Sequence, residues 1–474
     1  MSEFANGSPT KEFFVEMLTR DIDLNDAILD LLDNCIDGVI RSTNSSNLAE
    51  SSKNYESFSA EINISHASFS IKDNCGGIPR DTAENYAFRM GRTSLSNNSD
   101  PTIGIYGIGM KRAIFKIGQE AFVHTKNNNQ KYSVIIEKGW ANDNDNWNLP
   151  IYENSPDNLL DENGTEISIT TLNETISVMW KNDEAIRSFV EILKKAIQES
   201  YSLIIEKGFT IKINGETVSA YPVELLITAE NGKDGIRPFL FENTYEDVSV
   251  KMAIGFYAPM VSDDDIDKMN ESKRSTHEAG ITIVCNDRVV LYNDKSYLTG
   301  WGTAGVPNYH TQFIGIKGIV VFESNNPRSL PMTTTKRGVD HSSPVYIAVK
   351  DKICEGLKMF TNYTNQWKGR NEQERIYSQN TEKIHYDKLF SEQAQSRYGV
   401  SLRHENRGNT FRPSLPKPTN DTPFRIIRFS RSMDDIKYLI GYFYGDKEVE
   451  INSSQIGEKC FDKVLNEAKE EEQK

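Results

Sequence analysis

The first 180 residues switch repeatedly between two hydrophobic patterns. Apolar side chains at helical spacing predict a helix over residues 11–42. Alternation of apolar and polar side chains then predicts two short strands within Ala60–Ile71. Short helices are predicted near Asp81–Met90 and at Met110–Ile117, each after a glycine-containing turn. Three further strands are predicted at Ala121–Thr125, Tyr132–Glu137 and Thr165–Thr171.

A second set of elements begins near Asn182, where the spacing predicts a helix that ends at Tyr201. A helix near Val345–Thr361 closes this set. Because helices and strands are mixed in both sets, the sequence predicts an α+β fold with two domains, 1–180 and 181–366. The strand-like runs of the second set are Phe209–Ile213, Val248–Tyr257, Gly280–Leu291 and Phe313–Phe322.

The segment after Trp367 has a different composition. Arg397–Arg431 carries eight Lys or Arg residues against two acidic ones, and it contains four prolines. This composition predicts an extended linker over 367–431. Aromatic residues between the cations leave a second interpretation open, a surface for nucleic acid over Arg397–Arg431. A small helical element is predicted over 432–474, as a docking piece for a protein partner or for oligomerisation.

Composition narrows the class of protein. The chain has 474 residues, of which 37% are hydrophobic, so a sizeable core is expected. A net charge of −14 makes the whole chain a poor match for nucleic acid. No apolar run approaches the roughly 20 residues that cross a bilayer, so we expect no membrane contact. Five cysteines without a close pair exclude a disulfide scaffold and predict a cytoplasmic location.

The first candidate for chemistry is the acidic series Asp30, Asp33, Asn34 and Asp37. Its spacing places all four side chains on one face of a helix. One interpretation is the solvated face of an amphipathic helix. The other is a cation site, because dense carboxylates repel one another and an amide oxygen among them suits Mg²⁺.

Two glycine-rich turns are the next candidates. Asp73-Asn74-Cys75-Gly76-Gly77 follows a strand and is either an ordinary β-turn or a place where a ligand approaches the backbone. Gly104-Ile105-Tyr106-Gly107-Ile108-Gly109 opens a helix, and free N–H groups at such a helix start can bind phosphate. Lys111 and Arg112, just inside that helix, either add positive charge to the phosphate site or lie in solvent.

The order of these motifs resembles the GHKL ATPase superfamily, which includes the gyrase B subunit, ninety-kilodalton heat-shock chaperones, histidine kinases and MutL. The resemblance covers roughly residues 11–175 and implies an α/β sandwich that binds ATP with Mg²⁺. It implies that Asn34 holds Mg²⁺, that Asp73 accepts a hydrogen bond from the adenine amine, and that Thr165 supports this contact. Gly91–Ile103 then corresponds to the ATP lid. The predicted nucleotide-binding residues are Asn34, Asp37, Asp73, Gly77, Ile78, Gly104, Gly107, Ile108, Gly109, Met110, Lys111 and Thr165.

Two positions depart from the superfamily pattern. Hydrolytic members carry Glu as general base four residues before the Asn, and this chain has Asp30 there, one methylene shorter. A carboxylate remains, so base catalysis is retained as a prediction, with slow turnover. Cys75 replaces the first glycine of the Asp-x-Gly-x-Gly motif, and we interpret it as a small filler rather than a reactive thiol.

The segment from Asn326 to Asp340 resembles a loop in the second domain of gyrase, MutL and MORC-type members. In those proteins the loop places a lysine on the γ-phosphate, and Lys336 occupies the matching position. A cation at that place stabilises the charge that develops as the terminal phosphate leaves. The alternative is a solvated lysine in a polar loop. Asp30 and Lys336 are therefore the predicted catalytic pair.

The resemblance implies ATP-driven lid closure and N-terminal homodimerisation, as in a molecular clamp for DNA transactions, defence or stress response. The segment Phe4–Leu18 is a candidate for an exchanged dimer arm, or it packs on its own domain. Two alternatives remain open. One is an ATP-binding switch with negligible turnover, and the other is a chaperone-like protein that binds a client.

Overall fold

A computed structural model describes most of the chain. The described residues are 10–43, 54–89, 107–144, 146–229, 235–260, 276–333, 335–405, 408–418, 427, 430–445 and 453–472. The predicted lid Gly91–Ile103, the residue Gly104 and the first part of the predicted arm lie outside these ranges.

The first layer of the fold is an eight-stranded sheet with the order β5-β4-β3-β6-β2-β1-β7-β8. Its neighbours pair antiparallel except for β1 and β7, which pair in parallel. The strands are β1 (Ser59–Ile64), β2 (Phe69–Asp73), β3 (Gly118–Asn127), β4 (Gln130–Ile136), β5 (Ile151–Glu153), β6 (Gly164–Leu172), β7 (Thr210–Ile213) and β8 (Glu216–Thr217). This sheet continues past residue 180, because β7 adds to the edge of β1.

Helices cover one face of this sheet. They are α1 (Lys11–Arg20), α2 (Leu24–Ser42), α3 (Arg80–Thr82), α4 (Gly109–Ile117), α5 (Glu174–Met179) and α6 (Asp183–Glu206). After α3 the chain continues into one π-helical turn, Ala83–Ala87. Ile28, Leu32 and Ile36 of α2 are fully buried in the core that includes the sheet residues. The apolar stripe of α2 thus fixes the helix on the sheet and leaves its acidic side for the site.

The single helix predicted over 11–42 is wrong, because the chain forms two helices there. Asp23 has extended backbone angles, φ −72° and ψ 153°, directly before α2 begins. Aspartate favours such a position ahead of a helix. The side chain of Ile22 is buried in the core. The apolar spacing therefore continues through the break, and spacing alone did not reveal it.

The second layer is a seven-stranded sheet with the order β13-β12-β14-β11-β10-β17-β16, and β9 and β15 form a separate pair. The strands are β9 (Glu224–Thr228), β10 (Phe239–Tyr245), β11 (Val248–Phe256), β12 (Gly280–Cys285), β13 (Arg288–Asp294), β14 (Ile316–Glu323), β15 (Thr381–His385), β16 (Arg403–Glu405) and β17 (Gly408–Phe411). Helix α7 (Pro344–Gln366) packs on this sheet, with Gly356 close against Ile254 and Phe239. The run Gly280–Leu291 is a hairpin rather than one strand, because Asn286 and Asp287 form a turn with positive φ.

The extended linker predicted over 367–431 is wrong for its described part up to residue 418. Helices α8 (Asn371–Ser378) and α9 (Glu392–Tyr398) form there, β15 and β17 pair with strands of the second domain, and β16 pairs with β17. Arg397 pairs with Glu382, and Arg412 pairs with Glu355 and Glu405. Acidic side chains, of which Glu355 and Glu382 lie outside Arg397–Arg431, thus pair with two of the cations in this segment.

The helical end is confirmed by α10 (Met433–Tyr444) and α11 (Ser453–Glu472). The overall fold is therefore α+β, as predicted, with an N-terminal sandwich, a second α/β layer and terminal helices. Across the ranges that the structure describes, none of the helices combines the length and the apolar character that a membrane span requires.

Candidate functional site

The acidic face of α2 lies inside the protein. Asp30 is 6% exposed, Asp33 is 1% exposed and Asp37 is 4% exposed. A buried carboxylate is costly unless it has partners, so these side chains are not the solvated face of an amphipathic helix. Of the two interpretations of the acidic series, the cation site is the one that is compatible with this burial.

Two cations bind Asp30. Arg112, in the first turns of α4, donates to Asp30 Oδ2 from Nε at 3.2 Å and also from Nη2. Lys336 Nζ lies 3.4 Å from Asp30 Oδ1. The predicted catalytic pair is therefore in contact, although 306 residues separate its members in the sequence.

Asp33 has partners from three other elements. Its Oδ1 accepts hydrogen bonds from Tyr201 on α6 at 2.7 Å and from Arg288 on β13 at 3.0 Å. Its Oδ2 accepts a hydrogen bond from Lys336 Nζ at 2.6 Å. Burial alone would raise the pKa of Asp33, but the charges of Lys336 and Arg288 outweigh burial and hold that pKa below its usual value. The same pairing raises the pKa of Lys336 against the effect of its burial.

A tight loop presents Lys336 to these carboxylates. Met332 and Val339 form an isolated β-bridge at the base of the loop, and the Lys336 N–H donates to the Thr333 carbonyl at 2.9 Å. Lys336 itself has φ +58°, a left-handed conformation that is unusual for a residue with a side chain. Such strain is found where surrounding structure holds a functional group in place.

Asn34 is the residue that could hold Mg²⁺. Its Nδ2 is buried and has no hydrogen-bond partner among the described residues. Nδ2 is a hydrogen-bond donor and could donate to a ligand oxygen, whereas a cation would bind the side-chain oxygen Oδ1. Within the described ranges no three His, Cys, Asp or Glu side chains form a metal cluster. Asn34 would hold a Mg²⁺ ion through Oδ1, and phosphate and water would supply the other ligands.

Asp73 stands at the end of β2 and is held from three sides. Its Oδ1 accepts hydrogen bonds from the Cys75 N–H at 2.8 Å and the Thr165 N–H at 3.3 Å. The Cys35 thiol lies 3.5 Å from Asp73 Oδ2. Burial raises the pKa of Asp73 to about 6, although the hydrogen bonds to the carboxylate act in the opposite direction. A fixed carboxylate of this kind can accept a hydrogen bond from an exocyclic amine.

The turn after Asp73 needs glycine for two reasons. Gly76 and Gly77 both have positive φ, +94° and +73°, which side chains rarely permit. A Cβ atom on Gly77 would also overlap the Lys126 carbonyl oxygen. Ile78 follows, and its N–H donates to Thr125 Oγ1 at 2.8 Å.

The neighbouring positions add two details. Burial raises the pKa of the Cys75 thiol well above its usual value, which agrees with its interpretation as an inert filler. Sequence reasoning missed Thr125, whose hydroxyl also donates to the Gly164 carbonyl at 3.2 Å. A lone threonine in a strand gave no signal of this role.

The start of α4 lies beside Asp30. Gly107 has φ +65° and Ile108 directly precedes the helix, while a Cβ atom on Gly109 would lie 3.2 Å from Asp30 Cγ. Met110 follows in the first turn and packs partly buried against the core. The glycines thus bring the helix start close to the acidic face of α2.

Lys111 and Arg112 both point to protein groups. Lys111 is 1% exposed and donates to the carbonyls of Ala87, at 2.8 Å, and Gly107. It therefore connects the two backbone positions that flank the predicted lid. Arg112 pairs with Asp30 instead of lying in solvent. Arg288 and Tyr201 also contact the acidic face, and neither was singled out from the sequence.

A comparison with protein-family models covers the part of the chain that contains most of these residues. A family model described as "Histidine kinase-, DNA gyrase B-, and HSP90-like ATPase" matches residues 22–167. This range contains α2, the turn after Asp73, the start of α4 and Thr165. The comparison with curated proteins finds no match.

Proposed function

The N-terminal domain belongs to the GHKL ATPase superfamily, and we propose from this membership that the chain binds ATP with Mg²⁺ and hydrolyses it slowly. The nucleotide lies between the acidic face of α2, the turn after Asp73 and the start of α4. Its adenine amine donates to Asp73, and its phosphates lie near the N-terminus of α4.

One observation carries the proposal of hydrolysis. Lys336 Nζ lies 3.4 Å from Asp30 Oδ1. The superfamily resemblance assigned Asp30 of the first domain to the attacking water and Lys336 of the second domain to the terminal phosphate, each independently of the other. The contact between Asp30 and Lys336 places a carboxylate and a cation next to each other beside the start of α4. Phosphoryl transfer requires groups of both kinds near the terminal phosphate.

Each residue has a separate task in this proposal. Asp73 and the Thr165 backbone select the base, and Asn34 binds Mg²⁺ by its side-chain oxygen. Bound Mg²⁺ would offset the charge of the phosphates. Asp30 accepts a proton from the attacking water, and Lys336 stabilises negative charge on the terminal phosphate. Lid closure and N-terminal homodimerisation would follow ATP binding, as the superfamily resemblance implies.

A specific observation favours a second candidate, an ATP-binding switch with negligible turnover. Both oxygens of Asp30 have cationic partners, Arg112 on Oδ2 and Lys336 on Oδ1. Neither oxygen is therefore free to accept a proton from water while both cations stay in place, and the side chain is a methylene shorter than glutamate. Asp30→Glu separates the candidates, because a sharp rise in turnover would show that the natural site is limited by its base.

The proposed function is tested by phosphate release from Mg-ATP, with nucleotide affinity measured in parallel. We expect slow turnover in the natural protein. Asp30→Ala and Lys336→Ala should abolish it while both variants still bind ATP, and the exposed Lys138→Ala should behave as the natural protein. ATP binding without phosphate release at any protein concentration would support the switch instead. No ATP binding at all would refute both candidates.

A further inference from the structure

Side chains from both domains contact the buried carboxylate of Asp33. Its carboxylate is contacted by Tyr201 of α6, Arg288 of β13 and Lys336 of the loop. Arg288 lies 255 positions from Asp33 in the sequence. The two oxygens divide these partners, because Arg288 and Tyr201 contact Oδ1 while Lys336 contacts Oδ2. One partner can therefore leave without disturbing the contacts of the other oxygen.

Arg288 is fixed in this position by its surroundings. It is 2% exposed, and its Nη1 donates to the carbonyls of Ser200 at 3.1 Å and Val289 at 2.8 Å. Its guanidinium group lies 4.4 Å from the ring centre of Tyr201. These contacts satisfy donors that would otherwise need water. The contacts that hold Arg288 against Asp33 therefore do not involve Lys336.

The turn before Arg288 is anchored separately to the first domain. Asp287 is fully buried and pairs with Lys207 at 2.6 Å and with the Tyr55 hydroxyl at 3.0 Å. Asn286 and Asp287 have φ of +49° and +70°, as in a tight hairpin turn. The tip of the β12–β13 hairpin is thus held by one ion pair at Asp287 and by another at Arg288.

Lys336 has a different kind of attachment. Its ammonium bridges Asp33 Oδ2 and Asp30 Oδ1, and its backbone lies in the loop that begins at Met332. A buried carboxylate that loses its last cation carries a large desolvation cost. If Lys336 were the sole cation on Asp33, its transfer to a phosphate would leave such a carboxylate behind. Arg288 removes this obstacle because it stays on Oδ1.

We propose that Arg288 is a positioning residue that keeps Asp33 neutralised, so that Lys336 can move from this carboxylate to the terminal phosphate of ATP. The inference rests on the ATP site proposed above. It assigns Asp33 a role as the resting place of Lys336, and it makes the β12–β13 hairpin part of the response to the terminal phosphate.

The test is the preference for a triphosphate over a diphosphate at equilibrium. Affinities for ADP and for adenylyl imidodiphosphate, a non-hydrolysable ATP analogue, are measured with Mg²⁺. The natural protein should prefer the triphosphate analogue by about tenfold or more. Arg288→Gln keeps one hydrogen-bond donor and removes the charge, so Lys336 should stay on Asp33. The preference should then fall to within about threefold while ADP affinity is unchanged.

Three further variants separate positioning from a merely structural role. Asp33→Asn combined with Arg288→Gln removes the charge that retains Lys336, so the triphosphate preference should return. If Arg288→Gln alone does not fold, the double variant can still be measured, because the double variant has no unpaired carboxylate at position 33. Arg288→Lys keeps the charge and should keep the preference. Tyr201→Phe removes only the hydroxyl that donates to Asp33, so this variant should also prefer the triphosphate analogue.

The outcomes distinguish this inference from the proposed function. Absence of ADP binding in the natural protein would refute the nucleotide site itself. ADP binding with equal affinity for both nucleotides in the natural protein would overturn the inference, since Lys336 would not respond to the terminal phosphate. Full preference in Arg288→Gln, or a loss that the double variant does not restore, would also overturn it.

Discussion

Arg112 donates to Asp30 through Nε at 3.2 Å and through Nη2, so the short acidic side chain is held in a fixed orientation from α4. Their side chains are 16% and 7% exposed, which makes this a largely buried ion pair. We expect Arg112→Ala to lower the free energy of unfolding by about 1–3 kcal/mol, because Asp30 loses one of its two cations. Urea unfolding measures this loss.

The control for this pair is a double-mutant cycle. Asp30→Asn combined with Arg112→Ala should cost less than the sum of the two single changes, because no buried charge is left without a partner. Additive losses in the cycle would show that the two side chains contribute independently, and the assignment of Arg112 to the orientation of Asp30 would then fail.

Nucleotide affinity should depend on pH through Asp73. The ionised carboxylate accepts the adenine amine, and its pKa in the free protein is about 6. At pH 8 Asp73 is ionised, whereas at pH 5 only about one tenth of the molecules carry the ionised form. Because nucleotide phosphates also titrate in this range, the quantity to follow is the ratio of ADP affinities of the natural protein and Asp73→Asn. This ratio should fall about tenfold between pH 8 and pH 5. A constant ratio would mean that Asp73 does not contact the base.

The stability of the nucleotide-free protein should respond in the opposite way. The pKa of Asp73 is raised on folding, so the folded state binds more protons than the unfolded chain between about pH 4 and pH 6. Stability therefore decreases as pH rises through this window, and the decrease is complete above pH 6. Asp73→Asn should increase the free energy of unfolding at pH 8 by about 2–3 kcal/mol and should give little gain at pH 4. A gain of equal size at both values would assign the effect to something other than ionisation.

The local parts of the site could be predicted from the sequence. Gly76 and Gly77 in the turn after Asp73, and Gly107 before α4, have backbone conformations that few residue types adopt, so their identity marks these turns directly. Asp30, Asp33 and Asn34 share one helix face by spacing alone. The strands β1, β2 and β3 followed from alternation in the same way. Each of these features is decided within a few residues of the chain.

The parts that the sequence did not predict depend on distant partners. Arg288 meets Asp33 across 255 residues, and no local pattern distinguishes it from a surface arginine. Arg397 and Arg412 were interpreted as linker or nucleic-acid residues because spacing does not show which carboxylates they meet, and Glu382 and Glu355 lie 15 and 57 residues away from them. Their pairing on the second domain gives the nucleic-acid prediction no support from these two side chains.

Gly77 should tolerate no side chain. Its φ is +73°, and a Cβ atom would overlap the Lys126 carbonyl oxygen. We expect Gly77→Ala to lower the free energy of unfolding by about 2–4 kcal/mol. Gly215→Ala is the matched control, since Gly215 has φ +83° with no atom within 4 Å of an added Cβ. It should show the cost of the backbone conformation alone, about 1 kcal/mol. Equal losses of unfolding free energy in the two variants would show that the close contact between Gly77 and the Lys126 carbonyl of β3 does not restrict the residue at position 77.

Helix α1, the described part of the predicted exchange arm, packs on its own domain through Lys11. Lys11 is fully buried, lies 4.0 Å from the centre of the Trp140 ring, and donates to the carbonyls of Trp140 at 2.9 Å and Asn146 at 2.6 Å. Lys11→Met keeps the apolar stem and removes the ammonium group. We expect faster hydrogen exchange at the backbone amides of α1 in this variant, with no change in α2.

Phe13→Ala provides the comparison for Lys11→Met, because Phe13 lies on the same helix and is 58% exposed. It should leave the exchange of α1 unchanged, since its ring contributes little burial. The two variants should differ, because an ammonium group held by two carbonyls and an aromatic ring fixes α1, whereas an exposed ring does not. Equal exchange rates in Lys11→Met and the natural protein would mean that α1 is attached by its other contacts, such as that of Lys116 with the Thr19 carbonyl at 3.0 Å. Release of α1 only in Lys11→Met would identify the contacts of the Lys11 ammonium with Trp140 and Asn146 as those that an exchanged arm must break.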